Sequence, residues 1–419
     1  MNDAPAPHTR YHAFDSLRAV MMLLGLVLHA CQYYVTIPLF PGFDFRDVRT
    51  SGLAGLTFFG IHTFRMQTFF AMAGFFAALL CDRRGVRGMW SNRMKRVGLP
   101  LLVGWLILFP ITISAFLFGI AKREGLPAWE TTLNWWTTGQ IPWVEDWQPL
   151  YSLFLISPLH LWFLYALLWF YMGAIVFRQI GKIGKGAIGR GVNGLFRRLT
   201  AWHLLLPAGI GFTTLTLLIS PLALFDQSFP VFLPNPLPLI QFGPFFAFGW
   251  LLYRNVDLLP SMARWPVPTL VAAALMLVVY FGVTASAIGP DGRNSMRLET
   301  AAVSSAIAWL AVFGFIGLFL RYFNRPSPAM RYVSDSAYWV YLAHLPLIYW
   351  MQGLLFDLPV PALVKIGIIL SVSIVVLYAS YDLIVRPGVI GRFLNGRSYP
   401  SARLGLRSGT SPTPEPSPN

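Results

Sequence analysis

The sequence predicts an all-α, polytopic integral membrane protein: a bundle of about ten transmembrane helices with both termini cytoplasmic. Three observations predict it. Of the 419 residues, 56% are hydrophobic and only 12% are charged, far below the charged share of a soluble domain. Apolar runs of the length that crosses a hydrocarbon core, about 20 residues, recur along the chain. Lys and Arg are concentrated in alternate connecting segments, as topology requires of a polytopic protein.

Taken in order, the expected spans are Phe14–Ile37, Thr57–Leu80, Gly98–Ala121, Leu153–Phe177, Trp202–Leu224, Leu239–Leu252, Pro266–Ser286, Thr300–Phe319, Tyr332–Phe356 and Val360–Val385. The first already contains Arg18 and His29 and lacks a small-residue cleavage site, so it is expected as a retained span. The sixth is short and broken by Pro, which neighbouring helices can cover. With the N-terminus inside, the inner segments carry Arg83, Arg84, Arg87, Arg93, Lys95 and Arg96, then Arg178, Lys182, Lys185, Arg190, Arg197 and Arg198. Arg254, Arg264, Arg321, Arg325 and Arg331 follow, and the C-terminal segment adds Arg386, Arg392, Arg397, Arg403 and Arg407. The outer segments hold only Arg46, Arg49, Lys122, Arg123, Arg293 and Arg297 beside a larger set of Asp and Glu. The net charge of +15 is therefore read as a topology signal and not as a nucleic-acid surface.

Residues 1–395 are expected to form one transmembrane domain. Residues 396–419 turn Ser-, Pro- and Gly-rich and end SGTSPTPEPSPN, the composition of a disordered tail. Cys31 and Cys81 lie in apolar runs without a C-x-x-C spacing, so neither a disulfide framework nor a metal site is expected.

Ionisable residues inside spans are costly and mark functional positions by default. Span one carries Asp15, Arg18 and His29. Eleven residues of α-helix leave Arg18 and His29 about 20° apart around the axis and about 16 Å apart along it. Span two carries His62 and Arg65, three residues apart and so neighbours on a helix face. His160 opens the apolar part of span four, and His344 lies about twelve residues into span nine. By depth, the four His and Arg65 fall in the outer half of the membrane. Simpler readings stand beside the functional one. Arg18 and Asp15 suit an interfacial anchor, His160 an interfacial position beside Trp162, and His344 a packing role between Tyr341 and Tyr349. Arg65 is harder to place so, because a guanidinium cannot shed its charge on burial.

These residue types suit acyl transfer. A neutral imidazole, His29, can take the proton of an attacking sugar hydroxyl, and an Arg can hold a carboxylate or the oxyanion of a tetrahedral intermediate. An acyl-CoA donor would bring phosphates that the basic stretch Arg83–Arg96 could bind. No Gly-rich nucleotide loop, H-E-x-x-H or G-x-S-x-G motif is present.

FDSLRAVMMLLGLVLH, from Phe14 to His29, resembles the opening motif of the membrane acyltransferase-3 family. HTFRMQTFFAMAGFF from His62, RVGLP from Arg96, HLWFL from His160 and YWVYLAHLPL from Tyr338 resemble more narrowly its glucan biosynthesis protein C branch. The resemblance implies an inner-membrane enzyme that adds acyl groups, succinyl in that branch, to periplasmic glucans. It places the essential His of the family on His29, the paired Arg on Arg18 and an R-x-x-R element on Arg93 and Arg96. Two features depart from the broader family pattern: Ala73 stands where many members have Ser, and Pro100 follows the R-x-x-R element one residue later.

The resulting expectation is an O-acyltransferase in which acyl-CoA docks against Arg18, Arg93 and Arg96. His29, Arg65 and His62 would carry the chemistry, with His160 and His344 shaping the substrate site. No permanently bound cofactor or metal is expected. The expected partners are acyl-CoA, a periplasmic glucan, the bilayer and other glucan-synthesis proteins. Acetyl is the alternative acyl group to succinyl; the rival readings are a glycan or organic-anion transporter and an acyltransferase acting on another envelope glycan, and a passive scaffold is a third.

Overall fold

The computed structural model describes residues 11–39, 44–138, 157–183, 186–201, 203–219, 232, 235–287 and 297–395. Among these, all regular structure is helical. Six stretches are long and apolar enough to cross a membrane: His12–Gln32, Gly52–Arg123, Leu159–Gly181, Pro266–Thr284, Arg297–Tyr322 and Ala362–Val385. The chain is a multi-pass helical membrane protein.

The first five helices are α1 (His12–Gln32), α2 (Gly52–His62), α3 (Arg65–Arg93), α4 (Leu99–Arg123) and α5 (Ala128–Thr138), with a π-turn at Met94–Gly98 joining α3 to α4. A 3₁₀ turn at Leu159–Leu161 leads into α6 (Trp162–Ile183), followed by α7 (Ala187–Ala201), α8 (Leu205–Ile219), α9 (Pro236–Arg254) and the short α10 (Leu259–Met262). The last five are α11 (Pro266–Ala287), α12 (Arg297–Tyr322), α13 (Pro328–Leu354), α14 (Ala362–Ser380) and α15 (Val389–Asn395).

Two expectations are corrected here. Span two is not one helix. The chain leaves helical geometry at Phe64, whose φ is −133°, so His62 ends α2 and Arg65 begins α3. Their three-residue spacing therefore does not make them neighbours on one helix face. Local hydroxyls support the break: Thr63 Oγ1 donates to Gly60 O at 2.8 Å and Thr68 Oγ1 to Phe64 O at 2.9 Å, offering carbonyls partners outside the regular ladder. The basic stretch Arg83–Arg96 is likewise not a loop. Helix α3 carries it as far as Arg93 and the π-turn carries the rest, with a bend at Gly85, whose φ of +67° favours a residue without a Cβ.

Other boundaries shift less. Span four begins later as a helix, at Trp162, and its predicted residues 153–156 lie outside the described residues. Span five appears as α8, with Trp202 and residues 220–224 outside them. The expected sixth span grows to the 19 residues of α9, started by Asn235, whose Oδ1 accepts the N–H of Leu237 at 3.0 Å. An Asn N-cap followed by Pro at the first helical position is a strong start signal. The expected tail, 396–419, lies outside the described residues.

Helix α1 sits at the centre, packed against α2, α3, α12, α13 and α14. Helices α3 and α9 approach most closely at Gly74 and Gly249. A Cβ on either would run into backbone carbonyls of the other helix, Phe246 O or Ala71 O. Small residues permit such backbone approach where no hydrophobic driving force separates helix from lipid.

The segment after α1 is stitched to the bundle by a buried ion pair that the sequence analysis did not single out. Lys365 Nζ on α14 lies 2.6 Å from Asp47 Oδ2, both side chains having 0% exposure. Lys365 also donates to Phe356 O at 2.8 Å, and Asp47 Oδ1 accepts the N–H of Arg49 at 2.8 Å. Asp47 N–H donates to Tyr33 O at 2.8 Å, which fastens the segment to the end of α1. Nearby, Arg46 hydrogen bonds, reinforced by the Arg123 charge, hold the Asp44 carboxyl below its ordinary range.

Removing one partner of a buried pair strands the other charge and costs about 3–5 kcal/mol. Lys365→Met is expected to lower stability by that amount in detergent denaturation. The double variant Asp47→Leu, Lys365→Met should recover most of the loss; a double variant no more stable than the single would show that the charges are not coupled.

Candidate functional site

The residues singled out from the sequence fall into two groups. His29, His62, Arg65, His160 and His344 converge in one part of the bundle. Arg18, Arg93 and Arg96 gather around the first turns of α13.

His29 lies one turn before the end of α1. Its Nδ1 is 2.9 Å from Gln32 Oε1. The amide oxygen only accepts, so Nδ1 carries the hydrogen and Nε2 keeps its lone pair. Gln32 Oε1 also accepts from Tyr349 Oη at 3.4 Å, and Gln352 Nε2 donates to His29 O at 2.8 Å. Both partners come from α13. Gln32 escaped the sequence analysis, although its three-residue spacing from His29 is the signal for a shared helix face. Tyr349 and Gln352 gave no comparable signal, since only packing brings α13 against α1.

His344, on α13, has its ring centroid 5.2 Å from that of His29 and 5.7 Å from that of His160. Its Nδ1 lies 2.7 Å from Tyr341 O and 3.0 Å from Val340 O. Carbonyls only accept, so Nδ1 is the donor and Nε2 is bare. That Nε2 is buried without a hydrogen-bond partner.

His160 stands in the 3₁₀ turn ahead of α6. Its Nε2 donates to Leu342 O at 3.0 Å, and its own carbonyl accepts from Tyr341 Oη at 2.7 Å. The first bond has a covalent origin. Pro346 interrupts α13, and a proline has no N–H for the carbonyl four residues earlier. The Leu342 carbonyl is therefore open to a donor from another element, and His160 supplies it. The turn that presents His160 carries strain: Leu159 has φ +47°, a region few residues with a Cβ adopt.

Arg65 opens α3 and points at α1. Its guanidinium occupies the space beside Gly25, where any Cβ would collide with Nη1. Gly25 and His29 are four residues apart, so they share a face of α1. Arg65 makes a weak 3.6 Å contact to Met66 Sδ, and its Nε is buried without a hydrogen-bond partner. No carboxylate is paired with it among the described residues. Arg65, His62 and His160 all act electrostatically on His29. His29, His62 and Arg65 each keep some accessible surface, whereas His160 and His344 are buried. The ring of His62 stacks on Phe58 at 5.7 Å.

The second group faces inward contacts more than open solvent. Arg18 Nη2 donates to Ser334 Oγ at 2.7 Å and lies 3.5 Å from Asp15. Arg93 stacks over Tyr171 at 4.9 Å. Arg96 donates to Phe393 O at 3.0 Å in α15, and its own carbonyl accepts from Tyr338 Oη at 2.8 Å. Ser334 and Tyr338 are one turn apart, which draws Arg18 and Arg96 along one side of α13. Asp15, the partner of Arg18, also lines a cavity of about 210 Å³ with His12, Ser16, Arg325 and Arg331. The exposed members of the basic stretch are Arg83, Arg84, Arg87 and Lys95.

Chemically, the first group offers one accessible imidazole of fixed tautomer, a guanidinium without a carboxylate partner among the described residues, and two further ring nitrogens without a hydrogen-bond partner, His160 Nδ1 and His344 Nε2. Among the described residues, no group of His, Cys, Asp and Glu is arranged to hold a metal ion.

Comparison with known proteins bears on this arrangement. A family model described as an acyltransferase domain, acyltransferase-3, matches residues 11–383. Similar relatives are named glucans biosynthesis protein C, from Salmonella paratyphi B (strain ATCC BAA-1250 / SPB7), Salmonella enteritidis PT4 (strain P125109) and Salmonella gallinarum (strain 287/91 / NCTC 13346). Each is 27% identical over 355 residues, covering 83% of this chain and 84% of the relative. No solved structure matches.

Pro346→Ala would give Leu342 O an intrahelical donor and loosen its bond to His160. A neutral hydrogen bond contributes about 1 kcal/mol, so the His160 Nε2 proton is expected to exchange with water about fivefold faster. Nitrogen-15 NMR of histidine-labelled protein measures this; an unchanged rate would mean that the proline does not set the His160 contact.

Proposed function

This chain belongs to the acyltransferase-3 family and is a membrane acyltransferase, and from that premise we propose that it transfers an acyl group from acyl-CoA to a glucan hydroxyl. The observation that carries the reading is the fixed tautomer of His29. Gln32 holds its Nδ1–H, leaving a bare Nε2 beside Arg65, which has no paired carboxylate among the described residues. In the proposed step His29 Nε2 takes the proton as the sugar oxygen attacks the thioester carbonyl. The C–S bond breaks, the ester C–O bond forms, and the proton passes to the departing thiolate of CoA. Arg65 stabilises the developing oxyanion or holds the carboxylate of a succinyl group, the favoured acyl unit; acetyl is the simpler alternative. The glucan acceptor follows the names of the relatives.

The proposed setting is the bacterial inner membrane, crossed about ten times with both termini cytoplasmic. CoA docks from the cytoplasmic side at Arg18, Arg93 and Arg96 and at the neighbouring cavity lined by Arg325 and Arg331. The acceptor reaches His29 from the periplasmic side. A transporter would use a polar interior without a base of fixed tautomer, which favours the enzyme.

Purified protein given succinyl-CoA and glucan should release free CoA only when both are present, and the glucan should gain the mass of a succinyl unit. His29→Ala should cut the rate about 10²–10⁴-fold. Gly25→Ala, which pushes the Arg65 guanidinium from its place, should cost about 100-fold while leaving the protein folded. Glucan acylation at the wild-type rate by a folded His29→Ala protein would overturn the mechanism, and glucan movement without acyl-CoA would favour transport.

A further inference from the structure

Helix α7 stands between α6 and α8 but continues neither of them. Gly186, with φ +75°, precedes it and His203, with φ +56°, follows it; a residue in the left-handed region ends a helix. Around the second break the Leu204 N–H closes on Leu199 O at 2.7 Å. The chain turns by 114° between α7 and α8, so with α8 across the bilayer α7 lies close to the membrane plane.

Contacts with α9 set the depth of α7. Phe196 is buried, its ring centroid 6.2 Å from that of Phe248 near the end of α9. One residue on, Arg197 Nη2 donates to Asp257 Oδ2 at 2.7 Å and Nη1 to Asn255 Oδ1 at 2.8 Å. Asn255 Nδ2 donates to Asn193 Oδ1 at 2.7 Å. Asn255 and Asp257 follow Arg254, which shares Asp82 with Arg178. These charges, where α3, α6 and α9 meet, mark the edge of the hydrocarbon, and α7 is held at that edge.

The rest of its surface is divided. Ile188, Val192, Leu195 and Leu199 follow the i, i+4, i+7, i+11 spacing of a single helical stripe. The first three are 43%, 37% and 58% exposed. Arg198, also exposed, falls about a quarter turn from the stripe, and Arg190 falls on the far side. Water would leave the stripe hydrated, and full insertion would strip Arg190, Arg197 and Arg198 of water. The boundary between headgroups and acyl chains suits both faces.

We propose that α7 is an interfacial helix seated in the cytoplasmic leaflet, its apolar stripe at the acyl-chain boundary and Arg198 bound to an anionic phospholipid headgroup. A basic amphipathic helix has the balance of surface that such seating needs, and a guanidinium matches a lipid phosphate in charge and geometry. Lipid is the occupant because the stripe is apolar over about three turns, faces away from the bundle and lies at headgroup level. The proposal rests on the cytoplasmic placement of the α6–α8 connection and is independent of the acyl-transfer step.

The test uses the full chain with the buried Cys31 and Cys81 changed to Ala. One new thiol, from Leu195→Cys or Arg190→Cys, carries a fluorophore, and the protein is placed in vesicles of equal parts phosphatidylcholine and phosphatidylglycerol. A nitroxide high on the lipid acyl chain should quench the label at position 195 strongly and the label at position 190 weakly. Strong quenching of both labels by a nitroxide at the chain end would make α7 and α8 a re-entrant pair and overturns the proposal. Quenching of neither label would put the stripe in water or under a second copy of the chain, and overturns it as well. Spin-labelled phosphatidylglycerol should quench position 195 about fivefold more effectively than spin-labelled phosphatidylcholine, and Arg198→Gln should abolish that preference. Equal quenching by the two lipids with Arg198 intact overturns the headgroup assignment. Should a labelled variant not fold, native mass spectrometry of the wild-type chain and Arg198→Gln decides. Phosphatidylglycerol retained by the first and lost by the second supports the site, and equal retention overturns it. None of these readouts needs a turnover, so failure here and failure of the acyl-transfer reading are distinguishable.

Discussion

The seam between α1 and α13 is the contact on which the rest of the molecule depends. Polar groups placed in hydrocarbon must find partners within the protein, and along this seam they do so at both ends. Arg18 is held by Ser334 near one end, while His29 O accepts from Gln352 near the other. Between them, α1 is apolar and packs by shape. The two clamps fix the axial register of α1 against α13, and that register brings the His29 ring to the His344 ring. A shift of one residue along either helix would rotate the ring away by about 100°.

Two cations inside this frame, Lys365 and Arg65, are treated in opposite ways. Lys365 has a carboxylate, a carbonyl and no exposed surface; each charge of the Asp47–Lys365 pair is matched by the other, and the pair holds a segment in place. Arg65 has a thioether contact, an unpartnered Nε and a hollow provided by Gly25. A fold that satisfies one buried cation fully can satisfy another. Among the described residues Arg65 has no anionic partner, the pattern expected where a site awaits negative charge from a substrate.

Helix α13 organises the site from the other side. Its Pro346 opens the Leu342 carbonyl to His160, its Tyr341 hydroxyl returns a bond to the His160 carbonyl, and its His344 lies between the other two rings. The strained backbone at Leu159 is the local cost of this placement. Much of the site was legible in the sequence, because imidazoles and a guanidinium inside apolar runs stand out on cost alone. Their hydrogen-bond partners were not. Gln32, Gln352 and Tyr349 are ordinary interior residues until two helices meet, and a carbonyl freed by proline carries no mark of which donor it will accept.

The sequence by itself determined the class of structure, because hydrocarbon thickness and helical rise convert a run of apolar residues directly into a span. It also carried the motifs of the acyltransferase-3 family, matched over residues 11–383. Tertiary structure decided what depth cannot encode: azimuth and break. The helix that seemed continuous from Thr57 parts at Phe64, which sends Arg65 toward Gly25 instead of alongside His62. The basic segment Arg83–Arg96 folds as bent helix and π-turn, and Arg96 caps α15 at a separation of nearly 300 residues. Periodicity reports which faces of a helix are apolar. It does not report which neighbour will cover them, since that choice is made by close packing among many helices at once.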